Sequence, residues 1–118
     1  MTELTSAQLE QTCTRYIELV GSEDLDAMMD LFADNPSIED PVGSERLEGR
    51  DAVRGFYASL PDAGVTAKLT GPVCTVPDAR SAAFPFDIDT AGLVMSVIDV
   101  MTFDDDGKVT SMTAYWKM

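Results

Sequence analysis

Between residues 6 and 20 apolar side chains recur every three or four positions, placing Leu9, Cys13, Tyr16, Ile17 and Val20 on one stripe. That spacing predicts an amphipathic helix. Thr5 or Ser6 is suited to cap its start and Gly21 to end it. Ser22 opens a second helix, with Asp24 and Asp26 near its positive end. Leu25, Met28, Met29, Leu31 and Phe32 form its buried face, and Asn35-Pro36 closes it. A short strand over 37–40 stops at Pro41, and 43–49 reads as loop. Over 50–60, Val53, Phe56, Tyr57 and Leu60 return to helical spacing and predict a third helix.

After Pro61 the period changes. Segments 65–76, 79–89, 93–103 and 109–116 are rich in β-branched, aromatic and alternating residues. Turn signals separate them at Asp78, Ala91-Gly92 and Asp105-Asp106-Gly107. Four successive strands with short connections predict an antiparallel meander. With helices first and strands after, the fold class is α+β, a single domain over 1–118. A strongly twisted sheet can wrap around the three helices and leave a cavity between them.

The alternation also isolates an anomaly. Met95, Val97, Asp99, Met101 and Phe103 share one face of their strand, and the opposite face is also largely apolar. Asp is depleted in strands and rarely buried without a partner. A carboxyl seated there raises its pKa, stays protonated and becomes a hydrogen-bond donor. An Asp at a bulge, or paired with a buried Arg, is the bland alternative. Asp40 shares the face of Ile38, which should point inward, although an acidic residue before proline also commonly opens a turn. Tyr16 lies on the apolar stripe of the first helix, where its hydroxyl needs a partner. Tyr57 has the same need. Phe84, Phe86 and Ile88 form one strand face, and Met112, Ala114 and Trp116 another; either set serves as core or as pocket wall.

Composition narrows the chemistry. The 118 residues are 45% hydrophobic, enough for a core, and no apolar run is long enough to span a bilayer. The start, MTELTSAQLEQ, has no signal-peptide pattern, so the expected location is cytoplasmic. Cys13 and Cys74 are then expected to be buried free thiols. The chain has no histidine, which removes Ser-His-Asp and Cys-His catalysis and His-based metal sites. Proton transfer must fall to a carboxylate, tyrosine, lysine or cysteine. A net charge of −13, from 21 acidic and 8 basic residues, disfavours nucleic acid and anionic membranes as partners.

Several segments resemble the bacterial Δ5-3-ketosteroid isomerases, within the nuclear-transport-factor-2-like (cystatin-like) superfold. They are Arg15-Tyr-Ile-Glu-Leu-Val20, Ile38-Glu-Asp-Pro41, Leu47-Glu-Gly-Arg50, Phe56-Tyr57, Leu69-Thr-Gly-Pro72, Phe84-Pro-Phe86, Val97-Ile-Asp-Val-Met101 with Phe103, and Ala114-Tyr-Trp116. Their order and spacing, more than any one stretch, make the match specific. The resemblance implies a conical curved sheet, mixed or antiparallel, around three helices and an apolar cavity. It implies a homodimer, a small-molecule steroid substrate and no cofactor or metal. It assigns Asp40 as general base, Tyr16 and protonated Asp99 as the oxyanion hole, and Tyr57 as hydrogen-bond partner of Tyr16. It assigns Phe84, Phe86, Val97, Met112 and Trp116 to substrate binding. Phe32 departs from members that carry a tyrosine there; a phenyl ring cannot donate, so the network behind Tyr16 should be shorter.

The same superfold hosts other activities. Its epoxide hydrolases use an Asp-Arg-Asp arrangement, yet no arginine occurs in this sequence beyond Arg80. A steroid-binding protein without turnover would keep the cavity but have no need of Asp40. A purely structural dimerisation module would have no reason to seat Asp99 on an apolar face.

Overall fold

The computed structural model describes residues 3–117. The α-helices are α1 (Ser6–Leu19), α2 (Leu25–Met29) and, after two strands, α3 (Arg50–Ala58). The strands are β1 (Phe32–Glu39), β2 (Leu47–Glu48), β3 (Val65–Leu69), β4 (Cys74–Val76), β5 (Ser81–Thr90), β6 (Leu93–Phe103) and β7 (Val109–Lys117). They form one seven-stranded sheet in the order β2-β1-β7-β6-β5-β3, with β4 also on β5. The long β5-β6-β7 meander is antiparallel, whereas β1 joins β7 in parallel, so the sheet is mixed. The helices lie on one side, and the core forms between them and the inward face of the sheet.

Local chemistry explains the boundaries. Thr5 and Gln8 make a reciprocal capping box at the start of α1. Gly21, just beyond α1, has φ +80, and a Cβ there would collide with the Val65 carbonyl. Only glycine lets the helix end pack so closely on the start of β3.

The second helix is much shorter than its apolar pattern predicts, and its cap is Asp24 rather than Ser22. Residues 32–35 belong instead to β1, whose Phe32 pairs with Val109. The Arg50 guanidinium donates to the carbonyls of Met29, Phe32 and Ala33, satisfying the groups that a longer helix would have used. The predicted strand over 65–76 is two strands. Gly71-Pro72 interrupts it, because Pro72 has no N–H for a ladder. The strand predicted from residue 79 begins at Ser81, after Arg80 in the left-handed region at φ 52. The loop over 43–49 contains β2, paired with β1. Cys13 is buried as expected, but Cys74 is exposed on the short β4. Among the described residues no helix is long and apolar enough to cross a membrane.

Candidate active site

Tyr16 comes from the buried stripe of α1 and Tyr57 from α3; both are almost fully enclosed. Their hydroxyl oxygens are 2.8 Å apart. Each hydroxyl can donate or accept, so if Tyr57 donates, the Tyr16 proton is free for another partner. The Phe32 ring centroid lies 5.7 Å from that of Tyr57, and with no donor it ends the network there. Phe84 packs edge-on against Tyr16 and stacks on Phe86. Burial holds the Tyr16 hydroxyl well above its usual pKa, with Tyr57 and Asp99 adding to the effect. Tyr16 is therefore a neutral donor.

Asp99 sits mid-strand in β6, between Phe84 on β5 and Ala114 on β7. Neither neighbour's side chain offers a donor. The residue is 1% exposed, and its Oδ2 has no hydrogen-bond partner among the described residues. Burial first, then the negative charge of Asp40, holds its carboxyl well above the usual range, with the Tyr16 hydroxyl acting in the opposite direction. A buried polar atom without a partner is rare in folded proteins and points to a use not met within the protein.

Asp40 follows directly on β1, whose Ile38 is buried. The loop after it is tied to β7 where the Val42 N–H donates to the Ala114 carbonyl at 2.9 Å. Asp40 itself is half-buried. Trp116 Nε1 donates to its Oδ1 at 3.1 Å. Burial raises the Asp40 pKa, and the Trp116 hydrogen bond acts in the opposite direction. The two carboxyls thus differ physically: Asp99 is sealed in with an unpartnered Oδ2, while Asp40 is partly solvated and receives a hydrogen bond from Trp116.

All three groups, with Tyr57, border one cavity of about 180 Å³. That is more room than a single water needs. Phe86, Val97 and Trp116 are on its wall. Phe84 and Met112 are not. Phe84 lies behind, against Tyr16 and Phe86, and Met112 is buried where it pairs with Ile38 and Met101.

Wall residues not assigned to substrate binding from the sequence are Phe56, Leu60, Ile88, Met95 and Thr90, of which Ile88 lay on a face read as core or pocket wall. The signal was present: Ile88 and Met95 alternate inward with Phe86 and Val97. Cys13, beneath the site, has its thiol pushed up to about 12 by burial, with Asp99 and Glu10 adding. It is an inert neutral thiol. Among the described residues no cluster of three His, Cys, Asp or Glu side chains could hold a metal. The arrangement can take a proton from a ligand at Asp40 and place two neutral donors on an oxygen of that ligand.

Residues 13–112 match the model of the SnoaL-like domain. The chain is 39% identical over 115 residues to a steroid Δ-isomerase of Nocardioides simplex, covering 94% of this chain and 91% of that protein. Among solved structures, it is similar to SalBIII, described as an epoxide hydrolase/cyclase-like enzyme in pyran ring formation in the polyether salinomycin. The TM-score is 0.82 at 30% identity, over 95% of this chain and 92% of that one.

Proposed function

This chain belongs to the SnoaL-like domain family, of the nuclear-transport-factor-2-like superfold, and we propose that it is an isomerase of 3-oxo-Δ5-steroids. The observation that carries the reading is the pairing, in one cavity, of a sealed carboxyl with an unpartnered oxygen and a half-buried carboxyl that receives a hydrogen bond. The similarity to a steroid Δ-isomerase over nearly the whole chain supports it.

The reaction moves the C5–C6 double bond to C4–C5. Ionised Asp40 takes a proton from C4; the C4–H electron pair becomes the C3–C4 double bond of a dienolate, and charge develops on the ketone oxygen. Tyr16 and protonated Asp99 donate to that oxygen. Asp40 then returns the proton to C6, giving the conjugated enone. Substrate and product are isomers, so no electron carrier is consumed. A carboxylic acid kept neutral so that it can donate is the established pattern of ketosteroid isomerases, and the role given to Asp99 follows that pattern. The division of labour follows the environments: the base must ionise near neutral pH, and the less buried carboxyl does so more readily.

Tyr57 supports Tyr16, and Phe86, Val97 and Trp116 hold the apolar rings. Phe84 acts through its packing on Tyr16 and Met112 as core behind the wall. The protein works as a homodimer. The similarity to SalBIII raises epoxide chemistry, but among the described residues no arginine borders this cavity.

Asp40→Asn removes the proton acceptor and leaves the cavity intact. We expect turnover of 5-androstene-3,17-dione, followed as the ultraviolet absorbance of the enone, to fall by at least about 10²–10⁴-fold. Binding of a planar phenolic steroid should persist. Parental turnover in this variant would sink the assignment of the base. Phenol binding without turnover in the wild type would favour a steroid carrier.

A further inference from the structure

The sheet holds β1 as far as Glu39, whose register partner on β7 is Thr113. Asp40 is the next residue, and the chain then leaves the sheet until β2 begins at Leu47. The aim of Asp40 therefore depends on how residues 40–46 are anchored. The Ser44 N–H and hydroxyl both donate to the Pro41 carbonyl, which shapes the turn without tying it to a strand. The Val42 N–H reaches β7 at the Ala114 carbonyl.

The Glu39 side chain supplies two more ties. Its Oε2 accepts the Gly43 N–H at 2.8 Å, and its Oε1 accepts Arg46 Nη2 at 3.1 Å. Arg46 Nη1 also donates to Ser37 Oγ at 3.0 Å, two residues back on the same face of β1. One carboxylate thus holds the middle and the end of the loop against the last residue of the strand. Glu39 and Asp40 point to opposite faces, and Glu39 does not border the cavity. The Arg46 side chain is 46% exposed, and an ion pair so open adds little to stability. Its geometry matters more, because a misplacement of about 1 Å at a reacting group can cost on the order of 10²-fold in rate.

We propose that Glu39 is a positioning residue for Asp40, holding the base where it serves both C4 and C6. The inference rests on the isomerase reading for the role of Asp40. Glu39→Ala removes both ties. Glu39→Thr is also too short to reach either partner but suits a strand, which guards against a folding defect in the first variant. In each, kcat for 5-androstene-3,17-dione should fall about 10–10²-fold. The Kd of 4-androstene-3,17-dione, a product-type enone, should not change. Glu39→Gln keeps an acceptor for the Gly43 N–H and should stay within about fivefold of the wild-type kcat, the most that an exposed ion pair contributes.

Trp116 is the single tryptophan of the chain, so its indole N–H gives one proton resonance, and that proton is the one donated to Asp40. The resonance should move in Glu39→Ala and Glu39→Thr toward its position in Asp40→Ala, and stay in place in Glu39→Gln. A loss of stability alone would not move it in the folded protein. Wild-type kcat in the Ala and Thr variants overturns the proposal. So does a lost kcat with an unmoved resonance, or a Glu39→Gln variant as slow as Glu39→Ala. If the wild type does not turn over 5-androstene-3,17-dione, the isomerase reading fails, while the resonance still decides whether Glu39 holds Asp40.

Discussion

Asp99 and Asp40 begin as the same side chain and end as different reagents because of what each touches. Asp99 has Phe84 and Ala114 beside it on the sheet and an oxygen with no partner among the described residues. Its folded pKa is raised, so the folded state keeps a proton that the unfolded chain releases above about pH 4. Asp99 therefore costs stability at neutral pH, and that cost fades as pH falls toward the unfolded value. Asp40 is also raised, but less enclosed, and Trp116 donates to it. A hydrogen bond to a carboxylate favours the ionised form. In Trp116→Phe the burial remains and the opposing hydrogen bond is lost, so the Asp40 pKa rises. The base must be ionised, so the acid limb of the kcat/KM profile should move to higher pH. The loss of activity should be larger below that limb than on the plateau. A profile of unchanged shape, merely scaled down, would reduce Trp116 to a wall residue.

At the level of elements, Arg50 fixes where helix gives way to strand. Its guanidinium takes three carbonyls at the join of α2 and β1, and β1 ends just before Asp40. Replacing Arg50 with Met leaves those acceptors without their donor. We expect a loss of about 3 kcal/mol. It should appear in urea as a lower midpoint with an unchanged m-value. A midpoint within error of the parent would show that water replaces the guanidinium fully. The same join marks the limit of what local pattern reveals. The α1 stripe, the α3 face and the β5-β6-β7 meander are legible because period alone decides them. Phe32 fits a helical face equally well, and only Val109 on a distant strand and the Arg50 side chain make it β. The site divides in the same way. Asp99 stands out locally, as a carboxyl on an apolar strand face. The Trp116–Asp40 hydrogen bond joins residues 76 positions apart and has no local signal. Phe84 and Phe86 share a face, yet only Phe86 reaches the cavity, because Phe84 is spent against Tyr16.

For the whole molecule, the question is what covers the outer side of the sheet. The inward face of β5, β6 and β7 holds the cavity, while Val94, Ile98 and Tyr115 are 56%, 49% and 53% exposed. Ile98 pairs with both Pro85 and Tyr115, so an apolar strip crosses three adjacent strands on the side away from the site. A contiguous exposed apolar patch of this kind is a candidate interface. Against association stands the net charge of −13 on each copy. Like charges repel over roughly 10 Å at 0.1 M salt and less as salt rises. A homodimer formed through this strip should therefore tighten with added salt, the reverse of an interface built on ion pairs. Sedimentation equilibrium should give twice the chain mass, with a dimer Kd that falls from low to moderate ionic strength. Ile98→Glu places a further charge in the middle of the strip and should shift the protein to monomer. Because Ile98 points away from the cavity, the monomeric variant tests whether isomerisation needs the partner. A wild type that sediments as monomer at every salt concentration would remove the homodimer, and with it the reason for an apolar strip on a chain otherwise so acidic.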